Sequence, residues 1–539
     1  MKNTILIVLI ALLTYSCEVK EINKEEPRRP NIIFMMADDH AYQAISAYDD
    51  KLTKTPNIDR IANEGMIFTN ACVTNSICAP SRAVILTGKH THINGKTDNY
   101  FPFDTTQVTF PQLLQDAGYQ TAMFGKLHFG NSPKGFDQFK ILPGQGAYYN
   151  PDFITKNEGT VRVEGYTTDI ITDMTIDWLD KERDKEKPFM LFYLHKAPHR
   201  EWLPAERHYK EFTKKTFPEP ETLFDNYEGR GTAAKTAEMN LLDHMNWAGD
   251  SKITPELMDE LGIPETCDWD KSAFAREVGR QNPEQRAKWD AVYGPINEWF
   301  RENYKKMSRK ELMQWRYQRY MQDYLGTIAA VDEGVGTVLD YLDEKGLAEN
   351  TIVVYTSDQG FYLGEHGWFD KRFIYDQSFK TPLLVRWPNV ITPNITNTQM
   401  VQNLDFAQTF LEAAGVEAPS DMQGESLVPL FKGETEDFRD AAYYHYYEYP
   451  SVHMVKRHYG IVTEDYKLVH FYYDVDEWEL YDRKKDTNEM TNVYNDPAYK
   501  EVVEELTIKL NDLRVKYKDS PELDSLYLHN FLNRETPSH

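Results

Sequence analysis

Cysteine, positive charge and long hydrophobic runs are all scarce in this chain of 539 residues. Its 4 cysteines are too few for a disulfide scaffold. Its 60 Lys and Arg residues face 85 Asp and Glu residues, and the resulting net charge of −25 argues against a nucleic-acid partner, which would require a basic face. The overall composition, 41% hydrophobic and 27% charged, is typical of a soluble globular protein and excludes disordered, collagen-like and polytopic membrane proteins.

The N-terminal segment is typical of an export signal. Its apolar run, residues 5–13, is too short to cross a bilayer, which takes about 20 apolar residues. The sequence Leu-Thr-Tyr-Ser-Cys that ends at Cys17 resembles a bacterial lipobox, so we expect a signal peptide over 1–17, a lipid anchor on Cys17 and a tether over 18–29. The alternative is ordinary cleavage near Ser16. Either way, we expect an exported protein in the periplasm or at the cell surface, with membrane contact only through the anchor.

Apolar runs that alternate with segments of helical period predict an α/β fold. The sequence has five runs typical of strands buried on both faces, at 31–37, 120–124, 189–194, 351–356 and 382–387. Helical periodicity appears between and after them, at 169–181, 317–345 and 404–414. This alternation predicts a large, mostly parallel central sheet flanked by helices, with its functional site at the carboxyl ends of the strands.

Two changes in sequence character suggest further organisation. Residues 204–316 are charged, contain tryptophan and are mostly of helical pattern, so we interpret them as an insertion in a main domain over 30–420. Residues 421–539 are predicted to form a smaller C-terminal α+β domain with an antiparallel sheet. Its expected elements are strands at 459–462, 466–471 and 479–482 and a helix at 499–517.

Oxygen-bearing side chains follow two of the predicted strands. Asp38 and Asp39 come directly after the first run, and Asp358 and Gln359 follow the fourth. Three carboxylates and an amide oxygen suit a hard cation, Ca²⁺ or Mg²⁺, better than Zn²⁺. Each pair taken alone has a commoner interpretation as a turn or a helix cap. Two such pairs at equivalent strand ends favour a metal site.

The segment Cys78-Ala79-Pro80-Ser81-Arg82, followed by Leu-Thr-Gly at 86–88, resembles the signature of the sulfatase family. The resemblance implies an alkaline-phosphatase-like α/β fold, one Ca²⁺ ion and hydrolysis of sulfate esters. It also implies that Cys78 becomes formylglycine (3-oxoalanine), which acts as nucleophile and as a further metal ligand. A separate partner, a formylglycine-generating or an anaerobic sulfatase-maturating enzyme, would make this change. The alternative for Cys78 is a small buried thiol.

The resemblance assigns roles to four more charged or titratable residues. Lys126, in Gly-Lys-Leu-His, and Lys371 would bind the sulfate oxygens, and Arg82 would hold the formylglycine hydroxyl. His128 would take the proton when the sulfate is expelled and the aldehyde re-forms. Each lysine taken alone is more often a solvated surface charge.

The acid that protonates the leaving oxygen has two candidates. His199, in Ala-Pro-His, matches the Pro-His element of the family, whereas His195 stands four residues earlier. We favour His199 because of the preceding Ala-Pro, and His195 remains the competing candidate.

The stretch 358–372 is similar to bacterial sulfatases that act on the 6-O-sulfate of N-acetylglucosamine, and the run 445–450 followed by His453 resembles the same group. This similarity implies that Asp370 and Arg372 bind the 4-OH of the sugar and that His453 approaches the 3-OH. The alternatives are a local ion pair and a surface histidine. The aromatic residues at 443–449 are interpreted mainly as core, with a sugar-stacking wall as the alternative.

The expected activity is therefore that of an exo-acting sulfatase that removes the 6-O-sulfate of N-acetylglucosamine from glycans, including glycosaminoglycans. Heparan sulfate, keratan sulfate and mucin glycans all carry this group, and the sequence does not distinguish them. Three alternatives stay open: a sulfatase for another sugar such as galactose-6-sulfate, a formylglycine-dependent phosphodiesterase or phosphonate hydrolase, and a non-catalytic lipoprotein that binds sulfated glycans.

Overall fold

The computed structural model describes residues 29–434 and 437–534. The predicted signal peptide, Cys17 and nearly all of the predicted tether lie outside the described residues. Among the helices that are described, none combines the length and the apolar character needed to cross a membrane.

A ten-stranded mixed sheet forms the centre of the fold. The strands of the protein are β1 (Asn31–Ala37), β2 (Met66–Phe68), β3 (Ala71–Cys72), β4 (Gln120–Lys126), β5 (Gln138–Leu142), β6 (Asp152–Thr155), β7 (Gly159–Arg162), β8 (Phe189–Leu194), β9 (Thr351–Ser357), β10 (Leu383–Arg386), β11 (Ile395–Asn397), β12 (Val401–Gln402), β13 (Ala442–Tyr446), β14 (His458–Val462), β15 (Tyr466–Phe471) and β16 (Glu477–Asp482). The order in the large sheet is β11-β2-β10-β9-β1-β8-β4-β5-β6-β7. Its centre, β9-β1-β8-β4-β5, is parallel, which confirms the predicted α/β class.

The register of the central strands decides where the site forms. Ala37 at the end of β1 pairs with Ser357 at the end of β9, so the polar residues that follow both strands emerge side by side. Leu194 at the end of β8 pairs with Met36 and also with Gly125, one residue before the end of β4. Four strands therefore end together at one edge of the sheet, as expected for parallel strands.

Helices cover both faces of the sheet and also form the segment between β8 and β9. They are α1 (Pro56–Asn63), α2 (Cys78–Thr87), α3 (Thr91–Asn94), α4 (Phe110–Asp116), α5 (Thr167–Asp177), α6 (Tyr209–Phe212), α7 (Thr232–Thr236), α8 (Pro255–Leu261), α9 (Asp270–Glu277), α10 (Pro283–Asn303), α11 (Arg309–Glu344), α12 (Asp376–Phe379), α13 (Phe406–Ala413), α14 (Val428–Phe431), α15 (Lys500–Lys516) and α16 (Pro521–Leu532). One large apolar cluster joins the sheet to α5 and α11, and a second joins its other face to α2, α4 and α13.

Two elements differ from the sequence expectation. The run at 382–387 forms β10, which runs in the opposite direction to β9 and pairs with it in an antiparallel manner. The long helix α11 begins at Arg309, several residues before the expected start, because Ser308 caps its N-terminus and accepts a hydrogen bond from the Glu311 backbone.

The C-terminal part of the chain forms an antiparallel sheet in the order β13-β14-β15-β16, with α15 packed against it. Strand β13 carries much of the aromatic run that was predicted to be mainly core, with a sugar-stacking wall as the alternative. Tyr443, Tyr444 and Tyr446 are fully buried, and Tyr447 directly after the strand is almost fully buried. This run is therefore core.

Candidate active site at the carboxyl edge of the sheet

The acidic residues that follow β1 and β9 form one buried cluster. Asp38, Asp39 and Asp358 each offer a carboxylate oxygen, and these oxygens lie within 4.8 Å of one another. The backbone N–H of Asp39 also donates to Oδ1 of Asp358 at 3.1 Å, which ties the two strand ends together. Nε2 of Gln359 donates to Oδ1 of Asp39 at 2.5 Å and to Oδ1 of Asp358 at 2.9 Å.

The donor set of this cluster fits a hard divalent cation. Among the described residues, Oε1 of Gln359 is buried without a hydrogen-bond partner, whereas the Asp38 carboxylate lies against the cations of Lys126 and Arg82. Buried polar atoms of this kind are uncommon unless a ligand satisfies them. Burial raises the pKa of Asp39 to about 6, against the opposing effect of Lys371. Asp38, Asp39, Asp358 and Gln359 are therefore the residues that could hold a metal ion.

Cys78 is the first residue of α2, and the N-terminal end of this helix faces the acidic cluster. Its Sγ lies 4.0 Å from Nε2 of Gln359, and Sγ forms a second close group with ligand atoms of Asp38 and His199. The helix N-terminus favours negative charge at this position. Burial raises the pKa of the Cys78 thiol, so the unmodified side chain is a neutral thiol and a poor nucleophile.

Arg82 lies one helical turn after Cys78 and therefore faces the same cluster. Its Nε and Nη2 atoms lie 3.0 and 2.9 Å from Oδ2 of Asp358, and Nη2 lies 3.6 Å from Oδ1 of Asp38. Its Nη1 donates to the backbone carbonyl of Lys126, which joins α2 to the end of β4. The guanidinium thus fixes the relative positions of three elements.

Two lysines approach the carboxylates from different elements. Lys126 ends β4 and contacts Asp38, and Nζ of Lys371 lies 2.7 Å from both oxygens of Asp39. Burial alone would lower the pKa of Lys371, but the Asp39 carboxylate raises it above its ordinary value. Gly125 permits the close approach of β4 to β8 just before Lys126, because a Cβ at that residue would lie 1.7 Å from the carbonyl oxygen of Leu194.

The candidate histidines lie in different surroundings. Nδ1 of His199 lies 2.5 Å from the carbonyl oxygen of Arg200 and must donate to it, which leaves Nε2 facing the cluster, 3.8 Å from Oδ2 of Asp39. Nε2 of His128 lies 3.2 Å from Nε2 of Gln145. The ring of His195 instead packs against Tyr193, with a centroid distance of 4.3 Å, and burial lowers its pKa to about 3. Of these two candidates, His199 is the one whose ring nitrogen faces the carboxylates.

A second polar group lies beside Lys371. Oδ1 of Asp370 accepts hydrogen bonds from the Lys371 backbone at 2.8 Å and from Nε of Arg372 at 3.1 Å, and Oδ2 lies 3.3 Å from Nε2 of His453. Burial would raise the pKa of Asp370, but His453, Lys371 and Arg372 hold it well below its usual range. Nη1 of Arg372 donates to Glu448 at 2.7 Å.

Several residues of both groups adopt left-handed backbone conformations that are uncommon outside glycine. The φ angles are 67° at Asp39, 65° at His128, 75° at Asp370, 92° at Arg372 and 70° at His453. Each such conformation costs on the order of 1–3 kcal/mol and persists only where the surroundings impose it. Strain of this kind is typical of functional sites.

Sequence reasoning missed three charged residues at the second group. Glu448, whose Oε1 accepts from Arg372, lies inside the run 445–450, which resembles the same group of sulfatases but in which no role was assigned to this glutamate. Arg200 directly follows His199, and its guanidinium is held by Asp250 from the segment between β8 and β9. The position of Arg200 next to the Pro-His element was a usable signal, whereas nothing in the sequence connected Asp250 with it.

Family models match nearly the whole described chain. The model described as Sulfatase matches residues 30–416. The model described as N-sulphoglucosamine sulphohydrolase, C-terminal, matches residues 364–516.

Individual relatives agree with the family models. A protein of Bacteroides thetaiotaomicron named N-acetylglucosamine-6-O-sulfatase is 49% identical over 524 residues, which are 96% of this chain and 92% of that protein. The human N-acetylglucosamine-6-sulfatase is 27% identical over 434 residues, 75% of this chain and 65% of the human protein.

Solved structures show the same relationship. A protein in complex with its substrate D-glucosamine-2-N,6-O-disulfate has a TM-score of 0.87 and 49% identity, covering 92% of this chain and 99% of that chain. A phosphonate monoester hydrolase from Silicibacter pomeroyi has a TM-score of 0.64 at 20% identity, covering 91% of this chain and 96% of that chain, and shares only the fold.

Proposed function

Because this chain belongs to the sulfatase family, we propose that it is a sulfuric ester hydrolase that removes the 6-O-sulfate from a terminal N-acetylglucosamine. One observation carries the proposal: three successive residues connect the acidic cluster with the second polar group. Lys371 contacts Asp39, whereas Asp370 and Arg372 on either side of it contact His453 and Glu448. A single short segment can therefore bind the sulfate and the sugar that carries it.

Sulfatases generally use formylglycine and a divalent metal. We assign the formylglycine to Cys78, made by a separate maturation enzyme, and Ca²⁺ to Asp38, Asp39, Asp358 and Gln359. When present, the two groups supply a hydroxyl nucleophile and a counter-charge for the sulfate. The balance of charges in the cluster supports a bound metal ion. Its three carboxylates are already paired with three cationic side chains, Arg82, Lys126 and Lys371. A sulfate ester would add uncompensated negative charge unless a cation is also present.

The lysines and histidines act on the ester in this proposal. Lys126 and Lys371 donate to the sulfate oxygens and stabilise the charge that develops on them. Nε2 of His199 gives a proton to the leaving 6-oxygen of the sugar. Burial and Lys126 lower the pKa of His199 well below its ordinary value, and a negative sulfate ester beside the ring would oppose that shift. His128 accepts a proton from the side chain at position 78, which Arg82 helps to orient.

The second polar group recognises the sugar. The Asp370 carboxylate accepts a hydrogen bond from the equatorial 4-OH, and Arg372, held by Glu448, donates one to the same oxygen. His453 contacts the neighbouring 3-OH. These residues are almost fully buried, and a terminal sugar reaches buried groups more easily than a sugar inside a chain, so we propose an exo mode of action. Heparan sulfate, keratan sulfate and mucin glycans all present this residue and are candidate polymers.

The test is sulfate release by protein produced together with a maturation enzyme. Mass spectrometry of the Cys78 peptide should show the aldehyde, and N-acetylglucosamine-6-sulfate should be hydrolysed faster than galactose-6-sulfate. An aryl phosphate turned over faster than an aryl sulfate would instead indicate a phosphodiesterase or phosphonate hydrolase. Cys78→Ser should abolish turnover while retaining substrate binding. Native-rate hydrolysis by Cys78→Ser would refute the mechanism.

We also propose that the protein is exported and anchored through a lipid on Cys17. The support is the apolar run at 5–13 followed by the lipobox-like sequence. Labelling with a radioactive fatty acid should mark the wild type and not Cys17→Ser. Release of unlabelled wild-type protein into the soluble periplasmic fraction would favour ordinary cleavage.

A further inference from the structure

Arg200 is a buried cation that the proposed reaction does not use. Its guanidinium lies between two aromatic rings, 5.1 Å from the centroid of Trp269 and 4.9 Å from that of Phe369. One edge is occupied by Asp250, which accepts from Nε at 3.3 Å and from Nη2. The two rings and Asp250 therefore surround much of the guanidinium, and Nη1 is the nitrogen that Asp250 does not bind.

Nη1 of Arg200 points toward the residues proposed to bind the sugar. It lies 3.4 Å from Nε2 of His453. Nδ1 of His453 lies 2.8 Å from the carbonyl oxygen of Glu238 and must donate to it, so Nε2 of the neutral ring is an acceptor. Burial lowers the pKa of His453, and Asp370 opposes that shift. Nε2 of His453 thus lies beside both Arg200 and Asp370.

The order of these side chains follows the order of positions on a sugar ring. If Asp370 and Arg372 bind the 4-OH and His453 binds the 3-OH, the next group beyond His453 is Arg200, and the next position on the ring is C2. Neighbouring equatorial substituents of a pyranose lie about as far apart as two hydrogen-bonded atoms. This spacing is similar to the 3.4 Å between Nε2 of His453 and Nη1 of Arg200. The C2 position of the proposed substrate carries its nitrogen.

We propose that Arg200 binds the substituent on the C2 nitrogen and makes the site favour an N-sulfo over an N-acetyl group. The inference rests on the proposed function, because it uses the same orientation of the sugar. An N-sulfo group carries a charge and several acceptor oxygens that match a guanidinium, whereas an N-acetyl group offers one neutral carbonyl. The solved structure in complex with D-glucosamine-2-N,6-O-disulfate is that of a protein 49% identical to this chain, and the disulfate is the substrate of that protein.

Charge-assisted hydrogen bonds are stronger than neutral ones, so removing Arg200 should affect the two substrates unequally. In Arg200→Gln, kcat/KM for glucosamine-2-N,6-O-disulfate should fall about tenfold more than kcat/KM for N-acetylglucosamine-6-sulfate. The loss should appear in KM with little change in kcat, because the C2 substituent is remote from the reacting sulfate and is bound equally before and during the reaction.

Two further variants keep the test interpretable. Arg200→Gln with Asp250→Asn removes both charges, so no buried carboxylate is left unpaired if the single variant folds poorly. It should show the same selective loss. Arg276→Gln removes a half-exposed arginine from the same segment, which pairs with Glu201, and should leave the ratio of the two substrates unchanged.

The outcomes separate this inference from the proposed function. Equal losses on both substrates would overturn it and would mean that Arg200 only positions His453. A wild-type protein that carries the aldehyde but hydrolyses neither substrate would instead contradict the proposed function. Turnover of both by the wild type, with a selective loss in the Arg200 variants, would support both.

Discussion

The substitution Asp370→Asn tests whether the segment 370–372 recognises the sugar. Asparagine keeps the shape of the side chain and an oxygen that can accept from the Lys371 backbone and from Nε of Arg372, as Oδ1 does now. It removes the negative charge and replaces the oxygen that lies 3.3 Å from His453 with an amide group. The change is therefore small in volume and large in hydrogen-bonding character.

The expected cost follows from the hydrogen bond that is lost. A hydrogen bond between a hydroxyl and an ionised carboxylate contributes about 1.5–3 kcal/mol. Hydrolysis of N-acetylglucosamine-6-sulfate should therefore lose roughly 10- to 150-fold in kcat/KM. Galactose-6-sulfate has an axial 4-OH that Asp370 cannot reach in the same way, so its kcat/KM should change much less. The variant should thus discriminate less between the two sugars.

The assay is initial-rate sulfate release from both sugars and from an aryl sulfate that has no 4-OH. Rates on the aryl sulfate should stay within a few-fold of wild type, because Lys371 keeps its contacts with Asp39. Asp476→Asn, at a side chain that is 88% exposed, is the control for a neutralised carboxylate elsewhere. Unchanged kcat/KM on N-acetylglucosamine-6-sulfate, or an equal loss on the aryl sulfate, would refute the reasoning.

Three more outcomes are expected. Chelation with EGTA should abolish sulfate release and lower the Tm, and Ca²⁺ should restore both; full activity after exhaustive chelation would exclude the metal. Gly125→Ala should lower the free energy of unfolding, measured in urea, by at least about 3 kcal/mol because its Cβ would overlap the Leu194 carbonyl. Gly118→Ala, also at positive φ but with open space around its Cβ, should lower it less. Burial raises the pKa of Asp332 from 3.8 to about 6. The stability of the wild type relative to Asp332→Asn should therefore be highest below pH 3.8 and fall by about 3 kcal/mol as the pH rises to about 6. A difference that stays constant between pH 4 and pH 7 would contradict this.

The buried parallel strands were the most predictable part of the fold. Strands β1 and β8 have the expected bounds, because an apolar run that is buried on both faces is continuous and ends where polar residues begin. Pairing direction was less accessible, since a short apolar run such as β10 looks the same in a parallel and an antiparallel sheet. The start of α11 was missed because its first turns are amphipathic in the same way as the helical segment before it.

The site shows the same difference between features that a local sequence pattern predicts and contacts that depend on the folded chain. Asp38, Cys78 and Lys126 could be singled out because each ends a strand, directly follows one or begins a helix, in a recognisable motif. Arg200 and its partner Asp250 are 50 residues apart, and their pairing depends on how the helical segment folds back over the sheet edge. No local periodicity encodes a contact of that kind. Sequence reasoning therefore reached the reacting end of the site more fully than the surroundings of the sugar.

The two ends of the site are also built from different parts of the fold, which has a chemical consequence. The carboxylate cluster is fixed by the register of β1 and β9, a rigid part of the sheet that cannot shift without disturbing the core. The residues proposed to bind the sugar instead join the loop after β9 to Glu448 and His453 of the C-terminal part, and Arg200 beside them is held by Asp250 of the helical segment. Substitutions in those later segments can change which sugar is accepted and leave the sulfate-binding residues in place. Changes of sugar specificity should therefore arise most easily there, and changes of reaction chemistry only at the sheet edge.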